Sequence, residues 1–434
     1  MSPSVTPTNP MAQPVPASRS RYWVVVFAVT LAILSYIDRV SISNAAKRIQ
    51  IDLNLNDQEI GLAFGAFGLA YALFEIPGGW LGDLLGAKKV LIRVVLCWSA
   101  FTAMTGAVWN LLTLEIVRFC FGAGEAGCFP NITKALSVWL PAEERVRGQA
   151  IVWAFARWGG AFTPPIVVFA FQYMTWRTAF VAFGFMGVIW CLVFAWWYKD
   201  DPREHRSVNE GERALLAGVA SNSTGHGNVP WAKLLRSRSV WLLWGQYFCM
   251  SFPWYFYITF LPKYLMEHRH LSEGDAKWYA VLPLLFGGFG SLFAGFGAKW
   301  LNQTLGGVGK GRRTLSVCAF LGAGAFLVLV TTLENPLYAM LAMGMASFCN
   351  DLNMPGAWGT CMDIGQKYAG TLSGSMNMMG NLAGFVAPVT GGYILQNFNK
   401  DYNLFIYLMA GIYVIGACMW PFIDPVTPID QNAE

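Results

Sequence analysis

KDDPREHRSVNEGERALLAGVASNSTGHGNVPWAKLLRSRS, residues 199–239, is the longest polar interval in a chain otherwise built of apolar runs, and its position decides the fold. Six runs precede it and six follow, at about 22–43, 58–80, 89–109, 112–135, 147–170, 177–198, 239–261, 278–300, 313–333, 336–360, 369–395 and 403–423. Runs of about 20 apolar residues match a hydrocarbon core of about 30 Å, which an α-helix crosses at about 1.5 Å per residue. Helices are the expected spanning element, because lipid cannot satisfy backbone N–H and C=O groups and the alternation of a barrel strand is absent. The expected fold is an all-α membrane protein with twelve transmembrane helices in two pseudo-symmetric six-helix bundles. Residues 1–20 form a disordered cytoplasmic tail in this reading, 21–198 the first bundle, 199–238 a cytoplasmic linker, 239–424 the second bundle and 425–434 a second tail.

Composition agrees: 55% of residues are hydrophobic and 13% charged, against about 25% charged in a soluble domain. The nine cysteines fall inside expected spans or, for Cys361, directly at the end of one, and the four histidines in loops, which leaves neither a disulfide framework nor a metal site, and no cofactor is expected. The first span is too long, and lacks the small-residue cleavage site, for a removable signal peptide. The net charge of +5 collects in the tails and loops that are cytoplasmic if the N-terminus is inside, so both termini are placed in the cytoplasm and no nucleic-acid partner is needed.

Two six-helix halves joined by a polar linker place substrate at their interface near mid-membrane. After the second span stands GGWLGDLLGAKK, Gly78 to Lys89, a Gly-rich turn followed by bases; AGFGAKWLNQTLGGVGKGRR after the eighth is a degenerate copy with Lys299 in place of the acid. With these features the chain resembles the major facilitator superfamily over nearly its full length. Gly79, Asp83, Gly86 and Lys88 match that family's loop pattern, whereas Leu84 and Ala87 replace basic positions. The resemblance implies a conformational role for the loop, the glycines permitting close approach and Asp83 capping or pairing at a helix end.

Ionisable residues inside a membrane are functional candidates, since each costs roughly 2.5–3.5 kcal/mol to insert. Asp38 lies about 24 Å up the first span and Arg118 about 9 Å down the fourth, at about one level, so the two can meet. Glu125 follows Arg118 by two turns on the same face. Two carboxylates at successive depths are what a proton-coupled carrier needs, while a static ion-pair network is the alternative. Tyr36-Ile37-Asp38-Arg39, Ile76-Pro77-Gly78-Gly79-Trp80 and RFCFGAGEAGCFP (118–130) together resemble the anion:cation symporter family, whose members include proton symporters for sugar acids. That resemblance implies that Asp38 and Glu125 couple protons, linked by Arg118, and that Arg39, with Tyr36 beside it, meets the substrate carboxylate.

Arg157, about 15 Å into the fifth span, either contacts the anion or pairs with Glu75 or Asp351. Asn350, Asp351 and Asn353 precede Pro355-Gly356, a pair expected to break or kink the tenth span. Asn377 and Asn381 share a face of the eleventh and serve either a hydroxyl-rich ligand or interhelical bonding. The resemblance assigns Asn377 and Tyr71 to the ligand, and Asn381 and Asn353 join the expected substrate set. Glu75 and Asp351 are additional charges, and the aromatic run at 252–260 is either a gate over the ligand or an interfacial belt. The expected function is import of a small organic anion, a sugar acid or related carboxylate, with protons, by alternating access. An organic-anion exchanger or exporter is the alternative. The expected protein is a monomer in a bacterial inner membrane and not an enzyme, because no loop carries a nucleophile with a base or a metal cluster.

Overall fold

The computed structural model describes residues 16–217 and 229–429. In chain order its helices are α1 Arg21–Leu53, α2 Asp57–Leu85, α3 Ala87–Thr105, α4 Leu111–Glu125, α5 Cys128–Trp139, α6 Ala142–Tyr173, α7 Trp176–Trp197, α8 Glu210–Leu216, α9 Trp231–Arg236, α10 Arg238–Thr259, α11 Leu261–Glu267, α12 Glu273–Tyr279, α13 Val281–Thr304, α14 Val308–Thr332, α15 Pro336–Gly365, α16 Ala369–Asn397 and α17 Tyr402–Met419. Taken with α4–α5, α10–α11 and α12–α13 as single crossings, these make twelve spans in two bundles of six. Seven helical stretches are long and apolar enough to cross a membrane on length and composition alone, Pro336–Asn397 counting as one. Other spans carry charge or a break, as α3 does with Lys88, Lys89 and Arg93.

The first bundle meets the second along two seams, α2 against α16 and α6 against α13. The face holding both described chain ends and the linker is here the tail face, and the other is the far face. Every helix that enters from the far face starts with its own side-chain cap: Asn56, Asn110, Thr175, Ser272, Asn335 and Asp401. Each such cap is worth about 1 kcal/mol. On the tail face none of Ser20, Gly86, Pro141, Ser237, Gly307 or Tyr368 caps its helix with its own side chain.

Carboxylates from elsewhere take over at three of those ends. Glu212 of α8 accepts from the backbone N–H groups of Ser20 and Arg21 at 3.3 and 3.1 Å. Asp200 accepts from Lys88 N at 2.9 Å, and Asp83 accepts from Gly370 N and Thr371 N at 3.1 and 2.6 Å. The linker thereby docks on the first bundle, while the Asp83 cap crosses to the second.

Several sequence expectations change. The tail expected at 1–20 is described only from Pro16, and residues 1–15 lie outside the described residues. Ser18 and Ser20 within it are held by Asn209 and Ser207. Helix α1 runs to Leu53, about 50 Å in all, which puts Asp38 and Arg39 near its middle rather than its outer end. The tenth span is not broken: α15 continues through Pro355. Proline removes the N–H that would bond the carbonyl of Asp351, and Ser291 Oγ approaches that oxygen at 3.5 Å instead.

The break lies in the fourth span, between α4 and α5, directly after Glu125. There Gly127 takes φ +83°, and a Cβ on it would stand 2.6 Å from Gly78 Cα. Gly127→Ala therefore combines a left-handed penalty of about 1–2 kcal/mol with a backbone collision. We expect it to lower the melting temperature of the solubilised protein, whereas Gly392→Ala, which meets nothing within 4 Å, leaves it unchanged.

Candidate functional site

Between the bundles lies a cavity of about 70 Å³. Its walls come from α1, α2, α5 and α6 on one side and α10, α15 and α16 on the other. Tyr36, Arg39, Tyr71, Arg157, Asn377 and Asn381, all singled out from sequence, line it.

The first-bundle wall is organised around Arg39. Its Nε donates to Glu125 Oε1 at 2.7 Å, and Ser35 Oγ donates to the same oxygen. Ser35, Arg39 and the intervening turn place both donors on one face of α1, and the break after Glu125 frees that acid from a continuous helix to meet them. The Arg39 guanidinium lies over the Tyr71 ring, 4.4 Å from its centroid. Arg39 Nη2 and the Tyr71 hydroxyl are buried without a partner. Both residues line the cavity, and two buried donors without a protein partner are suited to holding an anion.

Asp38 and Arg118, expected to meet, make no direct ion pair among the described residues. Arg118 is 2% exposed and lies over the rings of Phe121 and Phe67, 4.4 and 5.0 Å from their centroids. The charges of Asp38, Glu125 and Arg39 all reach it. The residues expected to couple protons are thus neighbours, but the bonded pair is Arg39–Glu125.

Arg157 is not a free anion contact. Its Nε and Nη2 hold both oxygens of Asp351 at 2.7 and 3.0 Å, an ion pair from α6 to α15 that joins the bundles. Asn350 Nδ2 donates to Asp351 at 2.9 Å and Tyr413 holds Asn350 in turn at 3.0 Å. Trp254 stands beneath the guanidinium, 3.4 Å to its centroid. Thus the aromatic run at 252–260 contributes Trp254 and Tyr255 to the cavity wall.

The amides divide. Asn377 Nδ2 donates to Glu75 Oε1 at 2.8 Å across the α2–α16 seam, while Tyr255 donates to Asn381 Oδ1 at 3.1 Å. Asn353 does not line the cavity. Asn350 and Met354 occupy that face of α15, which turns Asn353 toward α10, where it donates to Gln246 at 2.8 Å.

The loop motif closes the tail face. Asp83, besides capping α16, pairs with Lys134 at 3.2 Å, and Lys134 also donates to the carbonyl of Lys367 at 2.5 Å. Gly79 packs so close to the Gly370 carbonyl that a Cβ would collide with it, and Gly86 turns the chain at φ +88°. Arg145 of the first bundle and Arg312 of the second grip Asp363 from both sides at 2.8 and 2.6 Å. Sequence reasoning missed Ser35, Lys134 as the partner of Asp83, and Trp254. The spacing of four between Ser35 and Arg39 was the available signal for the first.

Comparison with known proteins accords with this architecture. Residues 28–388 match the family model described as Major Facilitator Superfamily. The protein named Probable sulfoacetate transporter SauU, from Cupriavidus necator, is 32% identical over 96% of this chain and 96% of its own. The Probable L-galactonate transporter of Escherichia coli is 29% identical over 90% of this chain and 86% of its own. The structure of the proton:xylose symporter XylE bound to 6-bromo-6-deoxy-D-glucose superposes with a TM-score of 0.75 at 14% identity, over 95% of this chain and 98% of that one. The chain belongs to the Major Facilitator Superfamily. It is a membrane transporter and not an enzyme.

Removing one member of a buried ion pair costs about 3–5 kcal/mol, because the other is left uncompensated. Asp351→Asn is expected to destabilise strongly and Asp351→Asn with Arg157→Gln much less, a non-additivity read from denaturation of the solubilised protein.

Proposed function

We propose that the protein imports a small organic anion, a sugar acid or a related carboxylate or sulfonate, together with protons, by alternating access across a bacterial inner membrane. The observation that carries this reading is the state of Arg39: one nitrogen bonds Glu125, while a second nitrogen, buried and without a partner, faces the cavity beside the free Tyr71 hydroxyl. An entering carboxylate or sulfonate takes those donors, and the planar guanidinium suits its paired oxygens. Glu125 and the anion then compete for one cation, and a proton on Glu125 resolves the competition in the anion's favour. Asp38, in the field of Arg118 and Glu125, is the next proton station on this reading.

The wall opposite Arg39 supports a polyhydroxylated or doubly acidic ligand. Asn381, Asn377 and Tyr247 offer donors and acceptors, and the relatives named for sulfoacetate and L-galactonate carry ligands of that kind. Arg157 becomes available to a second acidic group when Asp351 is displaced. The excess of Lys and Arg on the tail face supports a cytoplasmic position for both termini. Among the described residues the polar bonds between bundles lie at mid-depth and at that face, which supports reading this as the outward-facing member of the cycle. We expect the carrier to work as a monomer in the bilayer.

Uptake into proteoliposomes of a panel including sulfoacetate, L-galactonate and D-glucarate, with and without an inward proton gradient, tests the reading. The wild type should concentrate one of them only under the gradient. Glu125→Gln should still exchange that anion but not concentrate it, and Arg39→Gln should lose both activities. Gradient-independent uptake by wild type and Glu125→Gln alike would make the protein an exchanger or facilitator.

A further inference from the structure

One acid remains after the charged groups around the cavity are matched. The arginines Arg39, Arg118 and Arg157 stand against Asp38, Glu75, Glu125 and Asp351, and all but Arg39 are at least nine-tenths buried. Glu125 is bonded to Arg39 and Asp351 to Arg157, while Asp38 shares the field of Arg118. Glu75, 0% exposed, makes no ion pair among the described residues. Its Oε1 accepts from Asn377 of the other bundle at 2.8 Å, and its Oε2 has no partner.

The groups around it offer no alternative counter-charge. Helix α1 contributes Arg39, already bonded to Glu125 at the end of α4, the break before α5 contributes the neutral backbone N–H of Gly127, and α5 the Cys128 thiol. Its own helix supplies Tyr71 one turn back, α10 supplies Tyr255, and α16 presents the neutral Asn377. The cations of α3 (Lys88, Lys89, Arg93) lie in its first two turns, at the tail face. An ionised carboxylate in that setting is poorly compensated, and an incoming anion adds a second negative charge to the same cavity.

We propose that Glu75 is a proton-carrying carboxyl additional to Asp38 and Glu125: ionised, it latches the two bundles through Asn377, and it takes up a proton when the anion enters. This rests on the symport reading above. A bond to an ionised acceptor is about twice as strong as one to a neutral group, so the Asn377–Glu75 contact is strongest while Glu75 is ionised. Protonation weakens the latch at the α2–α16 seam, just where Gly79 and Gly370 hold the bundles in contact. The anion thereby arrives with the proton that loosens the tail face, and the empty carrier stays closed there.

Infrared difference spectra of the full-length protein in lipid, recorded across an acid step with no anion present, read Glu75 directly. One protonated-carboxyl band should vanish in Glu75→Gln and persist in Asp38→Asn. Asn377→Ala, which leaves the acid in place and removes its donor, should displace that band without abolishing it, and it serves if Glu75→Gln does not fold. Proton uptake on adding sulfoacetate or L-galactonate in weak buffer should fall by one proton per anion bound in Glu75→Gln. Bands identical to wild type in both Glu75→Gln and Asn377→Ala, or unchanged proton uptake in Glu75→Gln, overturn the role of Glu75. Absence of proton uptake by the wild type with either anion, while the Glu75 band is present, refutes the symport reading and with it the coupling of Glu75 to anion entry.

Discussion

The pairing of buried guanidinium groups with buried carboxylates is the constraint on which the rest of this molecule depends. A charge at mid-membrane survives only if another group answers it, and here the answers come from different helices. Arg39 of α1 finds Glu125 because the fourth span breaks directly after that acid, and the break itself depends on Gly127 adopting a backbone conformation that other residues resist. Arg157 of α6 finds Asp351 of α15, and the proline one turn beyond Asp351 shapes the local bonding of that helix. Arg157–Asp351 joins the two bundles, whereas Arg39–Glu125 lies within the first. The cavity wall and the contact between the bundles therefore share the Arg157–Asp351 bond.

The helix ends reveal a second division of labour. On the far face each entering helix is capped from its own sequence, so those ends are locally complete. On the tail face, caps come from Asp83, Asp200 and Glu212 on other segments. Asp200 and Glu212 tie the linker to the first bundle, whereas Asp83 caps a helix of the second. In the proposed cycle the bundles part at that face, and the α16 terminus then loses its cap while the linker ends need not. The Arg145–Asp363–Arg312 arrangement works likewise, with one guanidinium from each bundle on a shared carboxylate.

The fold was legible because hydrophobic run length is a strong signal and the long polar interval has few competing explanations. The cavity residues on α1, α2, α6 and α16 were also legible, since buried charges and amides in apolar helices stand out. Partnership was not. Whether Arg157 stood free or paired depended on Asp351, nearly two hundred positions away, and no local pattern encodes a tertiary ion pair. The same limit explains Asn353, whose side chain bonds Gln246, and Asp38 with Arg118, which are neighbours without a direct ion pair among the described residues. Pro355-Gly356 does not break its span, and the proline's freed carbonyl is approached by a neighbouring helix, whereas the quieter Ala126-Gly127 ends α4.

Every guanidinium at this cavity already faces an acid, so in the proposed cycle an anion binds tightly only when protons arrive with it. The most direct test is the dissociation constant of the anion that uptake identifies, measured on the wild type by tryptophan fluorescence across a range of pH. Proton-linked binding predicts affinity that strengthens as pH falls, by up to about tenfold per pH unit for each proton taken up. A dissociation constant that stays flat with pH would mean that the anion displaces no carboxylate, and that the ion pairs around Arg39 and Arg157 are structural alone.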